Sequence, residues 1–285
     1  MSDIQAKMRE TAKDLLEKGE IKYVIGWEKG RFPNQSPPAF ITSPEDANRL
    51  AWDDYCLAGT SKYLLDDKFP EGKIGVFVRG CDSRGVNRLI QDNQVKRENV
   101  YLIGIPCAGK KDPDTGEMAK KCRECTHPNP VVFDVLLGEK VPETDKPERF
   151  NDVIALEQKS PDEKYEYWAK QFDKCIRCYA CRNVCPACNC RECFVDQYQV
   201  GWQGKQNNRA ENQVFGLTRA YHIADRCVEC GECERVCPMG LPLMELNRKL
   251  IKDLNELFGP YESGVDLEVK PPLGFYKNDD PDEYM

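Results

Sequence analysis

The sequence predicts an α/β domain built on a βαβ unit with a largely parallel sheet. An α+β domain built around cysteines follows, with a helical insertion and a C-terminal helix. Two observations carry this. KIGVFVRG (73–80) is a buried-type strand, a helical period follows it, and VYLIGIPC (100–107) is a second strand. Strand, helix, strand implies a parallel sheet covered by helices. The second observation is a pair of cysteine runs, CIRCYACRNVCP (175–186) and CVECGECERVCP (227–238), each reading C-x2-C-x2-C-x3-C-P. The polar stretch KVPETDKPERFND (140–152) is the expected boundary. The domains are therefore placed at 1–150 and 151–262, with an acidic, proline-containing tail at 263–285.

The first domain opens with an amphipathic helix over 4–18, where Ile4, Met8, Leu15 and Leu16 recur at helical spacing and Gly19 stops it. KYVIGW (22–27) is a strand and EKGRFPNQSPPAF (28–40) a loop. Ser43, Pro44, Glu45 and Asp46 open a helix expected to run to Cys56. Asp82 or Ser83 caps the helix after the first βαβ strand, with Val86, Leu89, Ile90 and Val95 on its apolar side. THPNPVVFDVLLGEKV (126–141) holds one short strand or helix.

In the second domain, Ser160 to Glu163 make a capping box for a helix leading to Cys175. Residues 186–226 form the insertion: a loop through GWQGKQNNRAEN (201–212), then a helix over QVFGLTRAYHIAD (213–225) with Val214, Leu217, Tyr221 and Ala224 in register. Leu243, Leu246, Leu250, Leu254 and Leu257 make a core stripe on a last helix ended by Gly259-Pro260. The tail is expected to be disordered or laid over a partner.

Sixteen cysteines in 285 residues exceed any background. The charged N-terminus has no apolar signal-peptide core, and no apolar run reaches membrane-spanning length. A reducing, cytoplasmic setting follows, in which clustered cysteines mean metal rather than disulfides. A net charge of −7 gives no support for nucleic-acid binding.

The paired runs carry the bacterial two-cluster ferredoxin signature. Cysteines three apart in a tight loop can point inward together on a cubane iron–sulfur cluster, and the fourth thiolate comes from the other run. One [4Fe-4S] cluster is assigned to Cys175, Cys178, Cys181 and Cys237, the other to Cys227, Cys230, Cys233 and Cys185. Pro186 and Pro238 suit the start of a short helix after each loop. The competing interpretation is a pair of zinc ribbons, which favour separated C-x2-C pairs.

Cys81 and Cys107 end the two βαβ strands, and Cys122 and Cys125 lie just downstream. Carboxyl ends of parallel strands are where such sheets build sites. These four are expected to hold a third cluster, Cys56 competing with Cys81, and buried packing is the bland alternative. Cys56, Cys188, Cys190 and Cys193 remain. A C-x-C-x2-C tripod with Cys56 as distant ligand gives a fourth cluster; a free cysteine beside a small zinc site is the other possibility. His127 and His222 are the only histidines and are read as surface or packed residues.

DLLEKGEIKYVIGW, SKYLL, IGIPC and CRECTHPNPVVFDVLLGE resemble the beta-subunit family of deazaflavin-reducing hydrogenases and deazaflavin-dependent formate dehydrogenases. CIRCYACRNVCPACNCREC resembles the ferredoxin-like part of the formate dehydrogenase beta subunits. The resemblance covers about residues 10 to 260. It implies an iron–sulfur cluster beside a flavin, with Cys107, Cys122 and Cys125 at the matching positions. No residue is assigned to flavin, because no G-x-G-x-x-G follows a strand.

The expected function is that of an electron-transfer subunit of a multi-subunit oxidoreductase. It relays single electrons between a catalytic subunit and another redox carrier and has no catalytic residue of its own. One alternative is a flavin-containing subunit that converts a hydride to single electrons. The other is a non-redox, metal-stabilised scaffold.

Overall fold

The computed structural model describes residues 2–66, 72–143, 145–197, 199–278 and 280. The chain falls into two compact units, Met1–Lys146 with Gly264–Leu267, and Pro147–Ser263 with Glu268–Met285.

In the first unit, helix α1 (Ser2–Glu17) buries Met8, Ala12 and Leu15 on one face. Strand β1 (Tyr23–Trp27) is buried at all five positions. Beside it runs an antiparallel edge strand, β2 (Pro38–Ile41), within a segment expected to be loop. Proline conceals such a strand in a sequence. Pro38 is its first residue at the sheet edge, where a missing N–H breaks no ladder.

The helix expected from Ser43 to Cys56 shrinks to a 3-10 turn, Glu45–Arg49. Ser43 does cap it, its Oγ accepting from the Asp46 N–H at 3.3 Å. The sheet then takes the chain away: the Ala51 N–H donates to Trp27 O at 2.8 Å. Leu50 is buried, and the Trp52 ring lies 5.4 Å from that of Trp27. Burial here overrides helical propensity.

Strands β3 (Ile74–Val78) and β4 (Val100–Gly104) pair in parallel and are joined by helix α2 (Gly80–Gln91). After the single turn α3 (Lys120–Arg123), β5 (Val135–Leu136) completes the order β2-β1-β3-β4-β5. Side chains alternate across the sheet. Val24, Phe77 and Ile103 pack with Met8 and Leu15 of α1. Ile25, Val76, Val78 and Leu102 pack with Val86 of α2. Arg79, rather than Asp82 or Ser83, stands at the N-cap of α2. Asp82 serves from inside the first turn, its carboxylate accepting from the Arg79 N–H at 3.2 Å.

Part of the expected tail belongs to this unit instead of being disordered or covering a partner. Asn87 Nδ2 donates to Gly264 O at 3.0 Å, and Gln91 Nε2 donates to Asp266 O at 3.0 Å. The closing run DDPDEYM lies outside the described residues apart from Asp280.

The second unit contains α4 (Asn151–Glu157), α5 (Pro161–Asp173), α6 (Ala180–Asn183), α7 (Arg209–His222), α8 (Glu232–Arg235) and α9 (Leu243–Phe258). The expected capping box opens α5, with Ser160 and Glu163 exchanging hydrogen bonds. Among the described residues this unit forms no strand, so the expected α+β class is corrected to helices linked by loops. Its loop amides serve cysteine sulfurs rather than a ladder: Arg177 N–H donates to Cys175 Sγ and Leu241 N–H to Cys237 Sγ, both at 3.4 Å. No helix among the described residues is long and apolar enough to cross a membrane.

Candidate metal centre

The two cysteine runs fold alike. Two residues after the first cysteine of each run, Arg177 and Glu229 both have φ +52°. Four residues after it, Tyr179 (φ +59°) and Gly231 (φ +67°) are again left-handed. Non-glycine residues rarely take this conformation, and it costs on the order of 1 kcal/mol each. Two left-handed residues per loop curl the chain around a centre and turn amides inward. A four-residue helix follows each time, α6 then α8, and the two pack together. The helices expected after Pro186 and Pro238 are thus inside the runs. The residues after each proline form turns instead, closed by Cys188 N–H to Cys185 O and Gly240 N–H to Cys237 O, both at 3.1 Å.

Cys175, Cys178, Cys181 and Cys237 line one cavity, walled by apolar side chains including Phe172, Phe215, Leu241 and Leu243. The cavity therefore takes three thiols from one run and one from the other. Its donor set suits a cluster, since four thiols converge on it and N–H groups already point at two of the sulfurs.

Of the second expected set, Cys227 packs beside Cys185, while Cys233 packs in the cluster that also takes Cys175, Cys181 and Cys237. Burial pushes the Cys233 thiol up to about 12 and raises Cys227 and Cys230, with the Cys185 sulfur adding to each. Cys185 moves the other way, pulled down by a hydrogen bond with Cys188 and by the Arg219 guanidinium, against burial. Asn247 Nδ2 also lies 3.6 Å from Cys233 Sγ.

The first unit gathers its own set. Cys81 sits on the first turn of α2 beyond β3, Cys107 lies just past β4, Cys122 is on α3 and Cys125 follows it. Burial raises the Cys81 thiol, with Asp82 and Cys125 contributing; burial also raises Cys125, with Cys122 and Cys107 contributing. Cys107 N–H is tied to Pro128 O at 2.9 Å. A Cβ on Gly80 would lie 1.8 Å from His127 O, so only glycine lets α2 start this close to the 127–129 segment. His127 is occupied, its Nδ1 lying 3.1 Å from Arg84 Nη1 and 2.8 Å from Thr126 Oγ1. His222 packs edge-on against Phe194 at 5.3 Å.

The four leftover cysteines have separate surroundings. Cys56 is 0% exposed in the core of the first unit, among Trp27, Leu50 and Trp52. Its sulfur accepts from Asp53 N–H at 3.3 Å and donates to Ala51 O at 3.5 Å. Cys188 packs against Cys185 and Ile223, Cys190 is exposed, and Cys193 is hydrogen-bonded to Arg182. Among the described residues no three His, Cys, Asp or Glu side chains meet tightly enough for a single metal ion.

One helix face is corrected. α7 forms where a helix was expected, starting earlier at an Asn208 cap, but Val214, Leu217 and Tyr221 are exposed. Its inner face carries Asn212, Phe215, Gly216, Arg219 and Ala220. A Cβ on Gly216 would lie 2.1 Å from the Phe172 ring, which is how closely α7 approaches α5. The apolar face is turned outward because Asn212 and Arg219 point inward to the cysteine loops: Asn212 Nδ2 donates to Cys175 O at 2.9 Å, and Arg219 Nη2 to Cys181 O at 3.1 Å.

Residues 171–241 match a family described as a 4Fe-4S dicluster domain. The chain carries a 4Fe-4S dicluster domain. Beyond the dicluster domain, the chain is 24% identical to F420-dependent formate dehydrogenase subunit beta of Methanocaldococcus jannaschii, over 92% of each chain. It is 26% identical to F420-dependent formate dehydrogenase 1 subunit beta of Methanococcus maripaludis, over 92% of this chain and 91% of that one. The resemblance expected from the sequence is thus borne out for these iron–sulfur beta subunits. The first alignment runs over 351 positions, more than the 285 residues of this chain, so that relative carries stretches this chain lacks. The F420-reducing [NiFe] hydrogenase complex from Methanosarcina barkeri contains a chain 22% identical, matched over 39% of this chain and 42% of that one at a TM-score of 0.33. A superposition that partial carries no structural argument.

Proposed function

We propose that the chain is the iron–sulfur electron-transfer subunit of a formate-dehydrogenase- or hydrogenase-type complex. Cys175, Cys178, Cys181 and Cys237 hold one [4Fe-4S] cage; Cys227, Cys230, Cys233 and Cys185 hold the second; Cys81, Cys107, Cys122 and Cys125 hold a third. The observation that carries this is the single apolar cavity lined by four cysteines from two runs more than fifty residues apart. Such cages exchange one electron at a time. The chain's own residues set the terms of that exchange. The Arg177 and Leu241 amides donate to ligand sulfurs, and Phe172, Phe215 and Leu243 give the cavity apolar walls, which strengthen nearby charge interactions. Substrate chemistry belongs to a catalytic partner.

Cys56 stays outside the proposed ligands. Its sulfur is satisfied by backbone and surrounded by the sheet core, and Cys188, Cys190 and Cys193 have different neighbours. The first measurement is iron and acid-labile sulfide in protein purified without oxygen. About 12 of each per chain are expected, unchanged in Cys56→Ala. About 16, falling in that variant, would establish a fourth cluster with Cys56; about 8 would reduce the first-unit set to packing. Dithionite should bleach the visible absorbance reversibly. Unbleachable protein would favour a scaffold, and flavin released on denaturation would favour the hydride-splitting alternative.

A further inference from the structure

Helix α9 turns a carboxamide inward among apolar residues. Its buried positions include Leu243, Met244, Ile251 and Leu254, and between them stands Asn247, 3% exposed. Burying an amide without good partners is costly. The partners of Asn247 Nδ2 are two sulfurs, Cys233 Sγ at 3.6 Å and Met244 Sδ at 3.8 Å. A thiol and a thioether are weak acceptors and do little to offset that cost. A thiolate at Cys233 does more, since a charged acceptor makes a hydrogen bond roughly twice as strong. Asn247 also lines the cavity of Cys175, Cys178, Cys181 and Cys237. The residue therefore borders the first set while its N–H is directed at a sulfur of the second.

Resting on the ligand sets proposed above, we infer that Asn247 is a positioning residue of the second cage: its amide donates to the Cys233 ligand sulfur and raises the reduction potential of that cage alone. Reduction adds negative charge to a cage and its sulfurs. A hydrogen bond to a ligand sulfur strengthens as that charge grows, so it favours the reduced state. Among the described residues Nδ2 makes no bond to a sulfur of the first set, and the first cage keeps its own donors, the Arg177 and Leu241 amides. Asn247 thus separates the potentials of two cages whose loops share one shape. Because its donor is a side chain, a substitution removes it and leaves the loop backbone in place.

The test compares Asn247→Leu, which keeps the volume and removes the donor, with Asn247→Gln, which keeps the amide, in the full chain purified without oxygen. Iron and sulfide are counted first. A redox titration followed by electron paramagnetic resonance then gives each midpoint. Cys178→Ser alters a ligand of the first set and so marks which dicluster signal belongs to it. In Asn247→Leu at full iron, the other dicluster midpoint should fall, while those of the first set and of the first-unit site stay. In Asn247→Gln all three should stay near the wild-type values. Full iron with unmoved midpoints in the Leu variant overturns the inference while leaving the ligand sets intact. A fall in both dicluster midpoints, or in the first set's alone, overturns the assignment to the second cage. If the Leu variant loses iron, the Gln variant decides: a loaded protein with wild-type midpoints supports the amide, and iron loss or lowered midpoints there mean packing. Wild-type protein without iron overturns the ligand sets and the inference together.

Discussion

Arg79 has almost no contact with water, and its charge is answered entirely inside the first unit. Its Nε donates to Asp82 Oδ2 at 2.6 Å, and Nη1 and Nη2 donate to Cys56 O and Ala58 O at 2.5 and 2.8 Å. Asp82 Oδ1 accepts from the Thr60 N–H at 2.8 Å, so the pair ties residues 56–60 to the turn that carries Cys81. Breaking a buried pair from one side strands the other charge. Arg79→Met should cost about 3–5 kcal/mol, read as a lower urea midpoint. Cys56 makes a pH-dependent contribution beside it. Burial pushes its thiol from the ordinary 9.0 up to about 11, so the folded chain keeps a proton that the unfolded chain releases. That stabilisation is whole below pH 9 and is lost as pH rises towards 11. The denaturation midpoint should fall across this window, and the fall should be shallower in Cys56→Ala.

Between elements, the closest approach is at the start of α2. Gly80→Ala would drive a methyl into His127 O and force the 127–129 segment away from Cys81. About four irons per chain should be lost while the dicluster domain keeps its own, measured by iron and sulfide content. Much of this level was legible in the sequence. The alternation of Val76, Phe77 and Val78 marks a strand buried on both faces, and the Ser160 capping box marks the start of α5. Other features depend on distant partners. The Ser43 helix is cut short by Trp27, far away in sequence. Strand β2 exists because β1 offers an edge. α7 presents Arg219 inward because the Cys181 carbonyl, in another segment, is there to accept from it. Cysteine spacing is a local property, so the candidate ligands could be read directly. An arginine turned inward to a distant carbonyl has no local signature.

At the scale of the molecule, the two units divide the work. The first holds Cys81 and Cys107 just past β3 and β4, Cys122 and Cys125 on and after α3, and Cys56 in its core. The second builds its groups from two loops of the same shape. In the proposed ligand sets each loop lends its last cysteine, Cys185 or Cys237, to the group centred on the other. The two halves are therefore interlocked, like links of a chain closed through one another. With those proposed sets, neither half is completed before both segments have come together, and loading is expected to be all-or-none. Losing the last cysteine of one run should then empty both halves. Cys237→Ala is expected to release about eight irons rather than four, leaving the first-unit site filled, and a loss confined to four would show that the links load one at a time.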